Sequence, residues 1–142
     1  MQNQTVQNKQ AVVRFNKEFV EQGNETSFTE LISPDVVNHS APAGTSKGPD
    51  GMFHFLQHIL RSAFPDLKVR ILDQVAEGDL VCSRKEFHAT HTGEFMGIPP
   101  SGQKVVINVI DLIRLRNGQY VEHWGMSNIP EIIARLSAVS KS

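Results

Sequence analysis

One carboxylate interrupts an otherwise apolar run, Val105-Val106-Ile107-Asn108-Val109-Ile110-Asp111-Leu112-Ile113. Side chains alternate across a strand, so Asp111 shares a face with Ile107, Val109 and Ile113. On a face that excludes water the charged form of a carboxyl is disfavoured, its pKa rises, and it becomes suited to proton transfer. The competing reading is a structural carboxylate bound to an arginine such as Arg84, or an edge position facing solvent. Asn108 is one residue out of phase and points to the opposite face. Downstream lie His123 and Trp124, across Asn117-Gly118, whose residues both accept positive φ and so close a hairpin. Pairing mirrored about that turn brings Asp111 close to His123 or Trp124. A histidine beside a carboxylate exchanges protons near neutral pH. Trp124 also fits a core position, and His123 a hydrogen-bonded structural role.

The other candidates point away from metal and nucleophile chemistry. His39, His88 and His91 have no i, i+4 pairing on a helix. His54 and His58 do, but off the apolar stripe and with no third ligand, so they read as a surface pair. The lone Cys82 excludes an internal disulfide and reads as a small buried hydrophobe in a strand. No Gly-rich phosphate loop follows a strand, no GxSxG is present, and no Cys–His nucleophile pair is indicated. No cofactor is expected.

These residues need a scaffold. The 142 residues suit one domain, with an ordered core over about 8–137. A hydrophobic fraction of 39% and a net charge of -1 fit a globular chain without the clustered basic field that nucleic acid requires. The N-terminal MQNQTVQNKQ lacks the apolar centre of a signal peptide, and no run reaches the length of a bilayer span, so neither membrane nor export is expected and the setting is read as cytoplasmic.

Val12, Phe15 and Phe19 mark an amphipathic helix from about Asn8 to Gln22, ended by Gly23. A short helix follows over Ser27–Ile32, broken at Ser33-Pro34-Asp35, and then a short strand or extended arm, Val36–His39. After a Gly/Pro-rich loop, Gly48-Pro49-Asp50 starts a helix whose stripe is Met52, Phe53, Leu56, Ile59, Leu60 and Phe64, with Pro65-Asp66 ending it. The period then changes to two. A strand begins at Leu67, Glu77-Gly78-Asp79 turns, and strands follow over Leu80–Thr90, Lys104–Leu115 and Tyr120–Met126, before a helix over Ile129–Leu136. Helices first and an antiparallel meander after them give an α+β fold: a curved antiparallel sheet covered by N-terminal helices, enclosing an apolar pocket.

In order and spacing, Asn38-His39 with Gly48, Phe64-Pro65-Asp66, Glu77-Gly78-Asp79, Thr90-His91-Thr92-Gly93-Glu94-Phe95, Gly97-Ile98-Pro99-Pro100 and Asn117-Gly118 through Glu122-His123-Trp124 resemble the SnoaL-like polyketide cyclase family of the nuclear transport factor 2-like superfamily. The resemblance spans Asn8 to Leu136. It implies a cone-shaped α+β barrel, a homo-oligomer (a dimer), a small apolar molecule inside the cone, and aldol closure of a polyketide ester without metal or cofactor. In the family's cyclases the residue after the His-Trp-like pair is the proposed catalytic Asp; here it is Gly125. The position they fill with a pocket His is Asp111.

Three functional readings follow. The first is a cofactor-independent lyase or isomerase acting on a small apolar carbonyl compound. In it Asp111 and His123 are catalytic, and His39, Phe64, Arg84, His91 and Trp124 bind substrate. The second is a non-catalytic small-molecule binding domain, favoured by Gly125. The third is epoxide hydrolysis by a water held between Asp111 and Arg84.

Overall fold

The computed structural model describes residues 2–141. The stripe Val12, Phe15, Phe19 lies on a helix that starts earlier than its spacing predicts: α1 spans Gln2–Arg14 and widens into a π-helical stretch, Phe15–Glu21. Gly23, at φ 74, takes the left-handed conformation that ends it. Asn24 then caps α2 (Glu25–Leu31), its side chain accepting from the Ser27 amide. The chain becomes extended at Ile32, where the spacing predicts helix, and forms β1 (Ile32–Asn38). Pro34 fits there because β1 lies at the sheet edge and needs no ladder donor at every residue. Pro49 opens α3 (Pro49–Phe53), which runs on through a second π-helical stretch (His54–Leu60) and a last turn (Arg61–Ala63). Arg61 donates to the carbonyls of Phe19, Val20 and Glu21 at the C-terminal end of the first helix.

The strands are β2 (Lys68–Glu77), β3 (Leu80–Thr90), β4 (Lys104–Arg116) and β5 (Gln119–Ser127), followed by α4 (Ile129–Lys141). They form one sheet of five strands in the order β1-β5-β4-β3-β2. Its last four strands are the antiparallel meander expected, and the arm after α2 adds the fifth, parallel to β5.

One face of this sheet is buried under the helices. Val81, Ser83, Lys85, Phe87 and Ala89 of β3 and Val105, Ile107, Asp111, Ile113 and Leu115 of β4 all point into it. Against them packs an aromatic cluster from three helical segments and β5: Phe15, Phe19, Phe28, Phe53 and Tyr120, with ring centroids 4.8–6.1 Å apart. Each of the buried rings Phe15, Phe19 and Phe28 contributes roughly 1.5–3 kcal/mol by burial. Among the described residues no helix is long and apolar enough to cross a membrane.

Candidate functional site

A single bulge decides which β5 side chains enter the covered face. Mirror pairing about Asn117-Gly118 holds as far as Leu115–Tyr120, but the next pair is Arg114–Glu122, so Val121 is an extra residue. A slip of one residue exchanges the two faces of a strand. Without it Trp124 would lie opposite Asp111 and point inward. With it Asp111 lies opposite Gly125, His123 turns inward beside the carboxylate, and Trp124 turns outward.

The inward group is a chain of polar contacts in an apolar setting. Asp111 and Lys85 are 5% and 6% exposed, and Lys85 Nζ lies 2.8 Å from Asp111 Oδ2. The same ammonium donates to Asn16 Oδ1 at 2.7 Å, and Asn16, itself buried, donates to the Val12 carbonyl. Lys85 Nζ also stands 5.5 Å from the centre of the Phe87 ring. On its other side Asp111 Oδ2 faces His123 Nε2 at 3.7 Å, an ion-pair distance rather than a hydrogen bond. Among the described residues Asp111 Oδ1 is buried without a hydrogen-bond partner.

The tautomer of His123 follows from its other neighbour. Asn38 Oδ1 accepts the Ser40 amide, so the atom there must be the oxygen and not the nitrogen. That oxygen lies 2.8 Å from His123 Nδ1, so Nδ1 carries the proton. In the neutral ring Nε2 is therefore bare, and it is the nitrogen facing Asp111.

Here the expectation for the carboxyl fails. Burial alone does push Asp111 up, as the apolar run predicts. The Lys85 charge above all, with the nearness of His123 and the Lys85 hydrogen bond, outweighs it and holds the pKa at about 2. Asp111 is a fixed anion, not a poised acid. Complete burial, with the Asp111 charge adding to it, raises the Tyr120 hydroxyl well above its ordinary value.

Gly125 makes room for this arrangement. A Cβ there would lie 2.9 Å from His123 Cε1, 3.2 Å from Nε2 and 3.7 Å from Asp111 Cβ, so the imidazole occupies the space a side chain would need. The Gly125 amide donates to Ser40 Oγ at 2.7 Å, tying β5 to the arm that orients His123.

A cavity of about 720 Å3 borders Asp111 and Lys85, while His123 stands outside its wall. Lys85, Asp111, Gly125 and Ser40 reach its edge, while outward-facing Cys82, Arg84, Ile110, Leu112, Trp124 and Met126 make up much of its wall. It is not the chamber expected under the helices, because the aromatic cluster fills much of that space.

The remaining sequence-derived residues fall into separate groups. His39 stacks on Trp124, centroids 4.7 Å apart, and pairs with Glu122 at 2.9 Å on the outward face. Arg84 also points outward and pairs with Asp73 at 2.6 Å, so it cannot join Asp111 in activating a water. The Asp111–Arg84 pairing is replaced by Asp111–Lys85.

Phe64 and His91 pack against each other beyond the end of β3, eight residues past the Asp111 partner Ser83, about 25 Å along the strand. His91 is fully buried, its Nδ1 accepts the Ser101 amide at 3.2 Å, and its backbone bonds Gln103 and Gly102. It clamps the 91–103 loop, and burial pushes its pKa down against a smaller opposing effect of the Ile98 carbonyl. Among the described residues no group of three His, Cys, Asp or Glu is placed to hold a metal ion.

Lys85 and Asn16 were not singled out by the sequence reading. The alternation Val81, Phe87, Ala89 already puts Lys85 on the covered face, and Asn16 lies within the helical stripe Val12, Phe15, Phe19.

The sequence profile of the SnoaL-like polyketide cyclases matches residues 10–134. Among solved structures, the chain is 28% identical to a candidate SnoaL-like polyketide cyclase of Jannaschia sp. CCS1, with 94% of each chain covered and a TM-score of 0.82. It is 31% identical to IdmH, a candidate polyketide cyclase of Streptomyces antibioticus, over 92% of this chain and 98% of that one, with a TM-score of 0.79. AclR of Streptomyces galilaeus, a candidate hydroxylase, is 29% identical over 94% of this chain and 83% of its own, with a TM-score of 0.82. No curated protein sequence matches the chain.

Proposed function

Starting from a chain that belongs to the SnoaL-like polyketide cyclase family, we propose cofactor-independent acid–base chemistry on a small apolar carbonyl compound, with the His123–Asp111 pair handling the proton. The reaction is an aldol-type ring closure or an isomerisation. One observation carries this reading: a bare imidazole nitrogen stands 3.7 Å from a buried carboxylate, in an apolar setting that strengthens their attraction once the ring is protonated.

In an aldol closure the proton on the carbon beside one carbonyl passes to the pair. The enolate carbon then bonds to a second carbonyl carbon of the same molecule, and the alkoxide formed takes the proton back. Nothing is oxidised or reduced. His39 and Trp124 present a stacked, half-exposed surface beside the cavity, suited to the flat face of a conjugated carbonyl.

The test is to incubate the protein with a linear 3,5,7-triketo ester, whose carbon beside the ester can reach the ketone at position 7 in a six-membered ring, and follow that ketone's carbon signal by 13C NMR. The expected result is its replacement by the carbinol signal of a ring. Gly125, where the family's cyclases carry Asp, favours a second reading, a binding domain. Thermal stabilisation by the ester with all its carbonyls intact would support that one and remove the first.

We also propose that two copies pair through the outward face of the sheet. Val75, Ile110 and Met126 are exposed there at 66%, 54% and 81%, an apolar surface unusual for a face left to water. Sedimentation equilibrium reads this directly; a monomer at micromolar concentration would overturn it.

A further inference from the structure

We infer that Lys85 is a positioning residue: its ammonium pins the Asp111 carboxylate in the charged form and leaves His123 as the side chain that moves the proton. The inference rests on the acid–base reading above and divides the labour within it.

The geometry makes the case. A buried carboxylate with no cation beside it takes up a proton rather than stay charged, and a buried carboxylic acid 3.7 Å from a bare Nε2 offers no negative charge to stabilise an imidazolium. Four groups face the carboxylate: Lys85 from β3, His123 and Tyr120 from β5, and, through Lys85, Asn16 from the first helix. Tyr120 is held neutral by burial and brings no charge. Of these groups only Lys85 is both buried and within 2.8 Å, and Asn16 fixes its direction by accepting a second of its three donors at 2.7 Å.

The consequence is a division of roles. A carboxylate bound this tightly to an ammonium is a weak base, so the proton from substrate goes to Nε2. Asp111 then serves as the stationary counter-charge, and Lys85 acts on the proton through it. A structural lysine would stabilise the fold equally well whether or not the carboxyl titrated, so titration separates the two roles.

The experiment is a 13C NMR titration of aspartate-labelled full-length protein, with the Asp111 carboxyl signal assigned by its loss in Asp111→Asn. In the wild type the signal should hold its ionised position from neutral pH to about 3. In Lys85→Met its midpoint should move to or above the ordinary carboxylate value of about 4, and Lys85→Arg should restore the low midpoint. A Lys85→Met midpoint as low as the wild type overturns the inference. Should Lys85→Met not fold, a wild-type midpoint in the ordinary range overturns it equally. No substrate is needed. A failed titration with ring closure intact removes the role of Lys85 alone; a successful one without turnover removes the enzymatic reading alone.

Discussion

Lys85→Met, with Asp111 left in place, is expected to cost about 3–5 kcal/mol of folding stability at neutral pH, because one half of a buried ion pair remains without its partner. The paired replacement Lys85→Met/Asp111→Leu should recover most of that loss, since two apolar groups of similar size restore packing without an orphan charge. Some deficit persists because Asn16 Oδ1 loses the donor it has at 2.7 Å. Urea unfolding followed by fluorescence checks both, provided that the slope is unchanged and only the midpoint moves. A single-variant cost below about 1 kcal/mol, or a double variant no better than the single, would show that the pair is not coupled.

The pH dependence has a definite sign. The folded pKa of Asp111 lies at about 2, below the unfolded value of about 3.9. The wild-type carboxyl therefore contributes stability that is complete above the unfolded value and is lost as pH falls from about 4 through 2, roughly 2–3 kcal/mol in all. In Lys85→Met the folded pKa rises to or above the unfolded one, so the acid loss disappears or reverses. That variant gains on the wild type as the solution is acidified.

His123→Gln is expected to reduce turnover of a ring-forming substrate by about 10^2–10^4-fold, the usual worth of a general acid–base group. Glutamine retains a donor toward Asn38 Oδ1 but offers no titratable nitrogen to the substrate. The loss should fall on kcat with KM little changed, because the interaction removed exists only as the proton moves. Stability should change little, since the imidazole is partly exposed, 21%, and among the described residues its side-chain hydrogen bond is the one to Asn38. Equal kcat in variant and wild type would place the chemistry elsewhere.

Much of the architecture was legible because periodicity and turn chemistry are local. The switch from helical spacing at Phe64 to alternation after Leu67, and the dipeptide Asn117-Gly118, placed the helices, the meander and the neighbouring of β4 and β5. The site was legible only to within one residue. Nothing in the residues around Val121 announces the bulge that turns His123 in and Trp124 out, because a bulge is settled by packing on both faces.

Electrostatics was harder still. An apolar run around Asp111 says that the carboxyl is desolvated, which raises its pKa. The opposing effect comes from Lys85 on the next strand, and Ser83–Asp111 pairing is needed to see that Lys85 and not Arg84 is within reach. Sequence neighbours reveal burial readily; cross-strand partners depend on register. Gly125 shows the same limit from the other side. Read against its family it is a missing acid, whereas in place it is the room that His123 occupies.

All of the proposed chemistry requires a lone pair on the imidazole nitrogen that looks toward Asp111. Long-range 1H–15N correlation of labelled protein, taken on the neutral form of the ring, reads that nitrogen directly. The prediction is a protonated Nδ1 and a bare Nε2 for His123, with the pattern unchanged in Asp111→Asn because Asn38 sets it. A proton found on Nε2 would contradict the account, since the ring would then aim a donor at the carboxylate and have no base to offer a substrate.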